Sequence, residues 1–122
     1  MMTDILGYFH DGEVAADDTG DVIDTATENG LGAVDNTKLY IRVKSAFSSE
    51  TNDVTFTLED SPDNGTWTEV YSFTVDQDTS MTEAGEIFAG HVPSGTQRYL
   101  RVNIGFASNP SSAGDIAAFI AM

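Results

Sequence analysis

Beyond residue 38, apolar and polar residues alternate with period two, the pattern of strands that bury one face. Leu39, Ile41 and Val43 fall on one side of a first predicted strand, with Tyr40, Arg42 and Lys44 on the other. A polar loop at 48–53 follows, and then Val54, Phe56 and Leu58 alternate with Thr55, Thr57 and Glu59. Asp60-Ser61-Pro62-Asp63-Asn64-Gly65 reads as a turn, because Pro presets φ and Asn-Gly tolerates positive φ. The next strand carries Tyr71, Phe73 and Val75 on one face, and a polar loop is expected over 76–85. Residues 86–92 form a further strand and Pro93-Ser94-Gly95-Thr96 a turn. Over 98–106, Leu100, Val102 and Ile104 oppose Tyr99, Arg101 and Asn103. After a Ser/Pro/Gly loop at 108–114, residues 115–122 are expected as a strand, although Ile116, Phe119 and Ile120 also fit helical spacing. As a strand it is apolar on both faces, with Ile116 and Ile120 on one and Ala117 and Phe119 on the other. Such a strand belongs at the centre of a covered sheet or against another subunit.

The pattern is weaker before residue 38. Nine acids lie there (Asp4, Asp11, Glu13, Asp17, Asp18, Asp21, Asp24, Glu28 and Asp35), and all five bases lie at or beyond Lys38. Ile5, Leu6, Tyr8 and Phe9 make one small apolar cluster. Residues 1–20 are therefore expected to be an extended acidic N-terminal arm. Residues 21–122 are expected to be the β-domain, opening with a short strand at 22–25. Several short strands divided by turn signals, with no long helix, predict an all-β sandwich or barrel. At 122 residues the chain has the length of one domain.

Charge and composition remove several classes of function. A net charge of −15 and a pI near 4.1 disfavour nucleic acid, whose affinity for proteins is mostly Lys/Arg electrostatics, and an anionic membrane would repel the chain. The absence of cysteine excludes thiolate metal sites, disulfides and cysteine nucleophiles. Met1-Met2-Thr3-Asp4 has neither the basic start nor the apolar run of a secretory signal, so synthesis in a cytoplasm is expected.

Little in the chain promises catalysis, so no enzyme, cofactor or metal site is expected. His10 and His91 lie in no recognisable motif, and no serine occupies a Gly-x-Ser-x-Gly elbow. Asp17, Asp21 and Glu28 fall at positions 1, 5 and 12 of an EF-hand frame. Thr19 at position 3 and Val22 where Gly is required break that frame, which leaves a solvated acidic face. Trp67 with Tyr71 suggests a sugar-stacking platform, but Tyr71 shares the inward parity of Phe73 and Val75. Arg42, Lys44 and Arg101 all point to the outer faces of their strands. If those strands are neighbours they form a basic patch, a docking face for an acidic surface. The competing reading is cross-strand pairing with outward acids such as Glu59.

Five segments together resemble the small β-sandwich capsid cement (decoration) proteins of tailed bacteriophages. They are Asp21-Val22-Ile23-Asp24, Leu39-Tyr40-Ile41-Arg42-Val43, Leu58-Glu59-Asp60-Ser61 with Asp63-Asn64, the run from Val92-Pro93-Ser94-Gly95 to Leu100-Arg101-Val102-Asn103, and Ala113-Gly114 before a small-residue strand. The resemblance implies a single jelly-roll-like β-sandwich, no enzymatic activity and no cofactor. It implies a structural virion protein on the outer surface of a phage head, bridging subunits of the major capsid protein and stabilising the shell. It also implies a homo-oligomer, dimer or trimer, with no nucleic-acid or membrane partner. The interface residues expected on this reading are Tyr8, Phe9, Arg42, Lys44, Arg98, Arg101 and Phe119. The alternative is a carbohydrate- or host-surface-binding β-sandwich module.

Overall fold

The alternating segments become strands in a computed structural model, which describes residues 5–24, 38–92 and 97–121. In chain order these are β1 (Ile5–Val14), β2 (Ile23–Asp24), β3 (Lys38–Ser45), β4 (Asp53–Ser61) and β5 (Thr68–Asp76), then a one-turn helix α1 (Gln77–Ser80), β6 (Gly85–His91), β7 (Tyr99–Phe106) and β8 (Gly114–Ala121). They build two four-stranded sheets. Sheet A has the order β1-β8-β3-β6 and sheet B the order β2-β7-β4-β5.

The pairs β1·β8, β2·β7, β3·β6 and β4·β5 are all antiparallel, so the chain is one long ribbon folded back on itself. Wrapping that ribbon brings β8 against β3 and β7 against β4, which completes the sheets. This is the double-sheet jelly roll, the architecture the resemblance implied.

The core lies between the sheets. Sheet A supplies Phe9, Leu39, Ile41, Val43, Ile116, Ala118 and Ile120, and sheet B supplies Val54, Phe56, Leu58, Leu100, Val102 and Ile104. Where β5 and β6 approach, Phe73 stacks on Phe88 with centroids 4.0 Å apart and on Phe56 at 5.3 Å. The last segment is a strand and not a helix, because β1 and β3 both pair with it along its length. It occupies the centre of sheet A.

Two expectations need correction. The described part of the expected arm does not stand outside the domain: residues 5–14 are edge strand β1, with Phe9 and Val14 in the core. Two register shifts, at Ile5/Gly7 and Tyr8/His10, break its alternation, and the second lets Phe9 and His10 both turn inward. The turn expected over 60–65 starts later, since Asp60 and Ser61 are buried at the end of β4. Its sharp point is Asn64 at φ 60°, and the Asp63 carboxylate accepts the Gly65 and Thr66 amides, each at 2.9 Å. The polar loops at 48–53 and 76–85 interlock through buried groups. Gln77 is fully buried: it caps the Ser48 carbonyl at 2.7 Å and accepts from Asn52 at 3.0 Å. The short strand expected at 22–25 is Ile23–Asp24, while Thr25 and the 93–96 turn lie outside the described residues.

Candidate functional site

The residues expected at an interface divide between the two outer faces. On sheet A, the row Tyr8–Phe119–Tyr40 runs across β1, β8 and β3 in register. Phe119 stacks on Tyr40 with centroids 5.4 Å apart and meets Tyr8 at 5.3 Å, while the Arg42 guanidinium lies 5.9 Å over the same ring. These neighbours leave Phe119 only 5% exposed although it points away from the core, whereas Tyr8 remains 42% exposed. Ala117 and Ala121 complete a small apolar floor on β8.

Lys44 shares this face. Its ammonium reaches Asp11 of β1 at 2.6 Å, and that carboxylate raises the Lys44 pKa above the usual lysine value. Both groups are well solvated, so the pair has little effect on stability. Lys38, at the start of β3, has the same outward parity as Arg42 and Lys44. Lys38 and Tyr40 are not among the residues expected at an interface, although the parity of Arg42 places both on its side of the strand.

Arg101 lies on β7 of sheet B, and Arg98 in the bend just before that strand. Arg98 makes a two-point contact with Asp24, Nε to Oδ1 at 2.7 Å and Nη2 to Oδ2 at 2.9 Å, which raises the Arg98 pKa further. Arg101 Nε donates to Glu59 Oε1 at 2.7 Å, Asn103 Nδ2 donates to the same oxygen at 2.6 Å, and the guanidinium lies 4.1 Å over Trp67. The condition for a single basic patch is not met, since β3 and β7 lie in different sheets. On sheet B the cross-strand pairing with Glu59 is what the structure contains. Phe9 also leaves the interface list: it is 1% exposed and faces the core.

The remaining candidate chemistry is absorbed by the fold. Trp67 has one ring face under Arg101, and Tyr71 packs against Phe88 with its hydroxyl pKa pushed up to about 12 by burial. The two rings do not form an open platform. His10 is buried and bonds the Val102 carbonyl from Nε2 at 2.8 Å, with Nδ1 3.6 Å from Asp18. Next to it, Asp18 exchanges backbone hydrogen bonds with Ile104, extending sheet B beyond β2. Asp17, first in the EF-hand frame, accepts the Phe106 amide at 2.8 Å, so its carboxylate serves the backbone. Among the described residues no three His, Asp or Glu side chains converge as a ligand set.

A family model described as Bbp16 matches residues 13–120, from the end of β1 to the penultimate residue of β8. No curated protein matches the chain. The match takes in seven of the eight described strands almost whole, and on that extent the chain belongs to the Bbp16 family.

Proposed function

We propose that the protein is a structural virion component, a capsid cement protein that binds the outside of a tailed-phage head and bridges major capsid subunits. The observation that carries this reading is the jelly-roll ribbon whose central strand, β8, is apolar on both faces. One face fills the core and the other carries Phe119 flanked by Tyr40, with the Arg42 guanidinium over its ring. Membership of the Bbp16 family and the sequence resemblance to phage cement proteins support it.

A ligand that binds only the assembled shell stabilises that state by linkage, by about 2.7 kcal/mol per site at a hundredfold excess over Kd. Repeated over many copies, that term holds seams against an outward load without any catalysis. Pairing the protein into a dimer or trimer adds effective concentration, so each bridging unit holds more tightly than one copy. The acidic remainder, at −15 overall, keeps decorated particles soluble and apart.

The test is co-sedimentation with expanded, undecorated shells assembled from the major capsid protein of the same phage. Saturable binding in a fixed ratio is expected, with a higher shell-disruption temperature and no binding to unassembled subunits. Failure to sediment with shells, together with micromolar binding on a saccharide array, would replace this reading with the carbohydrate-module alternative.

A further inference from the structure

Resting on that reading, we infer that the outer face of sheet A is the surface that meets the shell, and that its partner there is a protein surface presenting carboxylates to Arg42 and Lys38. The argument starts from how the bases are used. The chain has 20 acids and five bases, so a carboxylate is available to almost any base. Lys44, Arg98 and Arg101 each take one. Among the described residues Lys38 and Arg42 make no ion pair, and both lie on β3 with outward parity.

Arg42 has the opportunity. Its register neighbours run Asp11, Ala117, Arg42, Glu86 across β1, β8, β3 and β6. Asp11 takes Lys44, and the Arg42 guanidinium lies over Phe119. An arginine whose guanidinium lies over an aromatic ring without an acid partner keeps its N–H groups available, and its planar fork matches a carboxylate at two points. Beside it stand Tyr40 and the exposed ring of Tyr8. Arginine and tyrosine are the residue types enriched at the centres of protein interfaces. On sheet B the corresponding bases are occupied by Asp24 and Glu59, so that face offers little unspent positive charge.

The chain's composition supplies a direct probe. Its two lysines, Lys38 and Lys44, both lie on this face. Free and shell-bound protein are acetylated with an amine-reactive reagent and the extent of labelling is read at each lysine by mass spectrometry. Protection of Lys38 by at least fivefold in the bound state is expected. In parallel, Arg42→Glu is expected to weaken shell binding tenfold or more, and Ser72→Glu, exposed on the outer face of sheet B, to leave it within twofold. Equal labelling of Lys38 in both states while the protein stays bound overturns the face and leaves the cement reading standing. Unchanged binding by a folded Arg42→Glu does the same. If that variant does not fold, the footprint on the unaltered protein decides. Absence of shell binding by the unaltered protein overturns both.

Discussion

Adjacent residues Tyr8 and Phe9 offer a sharp test of the fold, because an arm outside the domain and an edge strand of the sandwich make opposite demands on them. Were residues 1–20 an arm, truncating either ring would leave stability unchanged. In the jelly roll, Phe9 is 1% exposed among the core residues of both sheets, while Tyr8 is 42% exposed. Phe9→Ala removes a buried ring and leaves a cavity, at a cost of about 3–5 kcal/mol. A chain of this length has a total stability of roughly 6–18 kcal/mol, so the loss is a large fraction of it. Tyr8→Ala gives up one partly exposed ring contact, and about 1 kcal/mol is expected. The assay is urea unfolding followed by far-ultraviolet circular dichroism, with the single Trp67 as a second probe. With m near 2 kcal/mol/M, Phe9→Ala moves the midpoint down by about 2 M and Tyr8→Ala by about 0.5 M. A Phe9→Ala midpoint within 0.3 M of the unaltered protein would refute the placement of β1.

Further outcomes follow from single contacts. His10→Ala leaves the buried Val102 carbonyl without its 2.8 Å partner and is expected to cost about 1–3 kcal/mol, checked by the same unfolding curves. Gly114→Ala would place a methyl 2.4 Å from the Phe47 ring and 2.6 Å from the Ser45 carbonyl. About 1–3 kcal/mol of destabilisation is expected, and Phe47→Leu in the same chain restores only part of it, because the backbone contact remains. Hydrogen bonds from the Thr66 and Gly65 amides and the Ser61 hydroxyl hold the Asp63 pKa below the usual aspartate value. A lowered folded pKa stabilises above the unfolded value of 3.8 and is lost as pH falls through the folded one. Nuclear magnetic resonance titration of the Asp63 carboxyl should therefore find its midpoint below 3.8, and a midpoint at or above that value would contradict the turn geometry.

Strict alternation made β3, β4 and β7 legible, because each buries one side continuously with no register shift in the β4·β7 ladder. β1 was not legible for a local reason: the register shift beside Phe9 turns two successive residues inward and destroys the period. The acids at Asp11 and Glu13 then made an outward-facing edge strand look like a solvated tail. The buried Gln77, Asn52 and Asp60 were hidden differently. Each is polar because it satisfies loop backbone, as when Asp60 accepts the Gln97 amide at 2.9 Å and Asn52 accepts that of Ser108 at 3.0 Å, so polarity there marks loop packing and not exposure. For the interface residues, parity correctly put Arg42, Lys44 and Arg101 on outer faces. Which sheet each strand joins is absent from a period of two.

That assignment is what the jelly roll decides, and it has a consequence for charge. Successive pairs of the ribbon alternate between sheets, so β3 and β7 must show their outward residues in opposite directions. On sheet B the strand beside Arg101 supplies Glu59, and β2 supplies Asp24 to Arg98. On sheet A the strand beside Arg42 on one side is β8, where Ala117 and Phe119 face outward next to it and the nearest β8 carboxylate, Asp115, lies further along the strand opposite Ser45. The small Ala117 also lets Lys44 reach across β8 to Asp11 and consume the carboxylate in Arg42's own row. An apolar partner placed on this face would strip water from an unpaired guanidinium, a penalty of several kcal/mol that its ring contacts would have to exceed. A partner bringing a carboxylate avoids that penalty and gains a charge-assisted bond in its place.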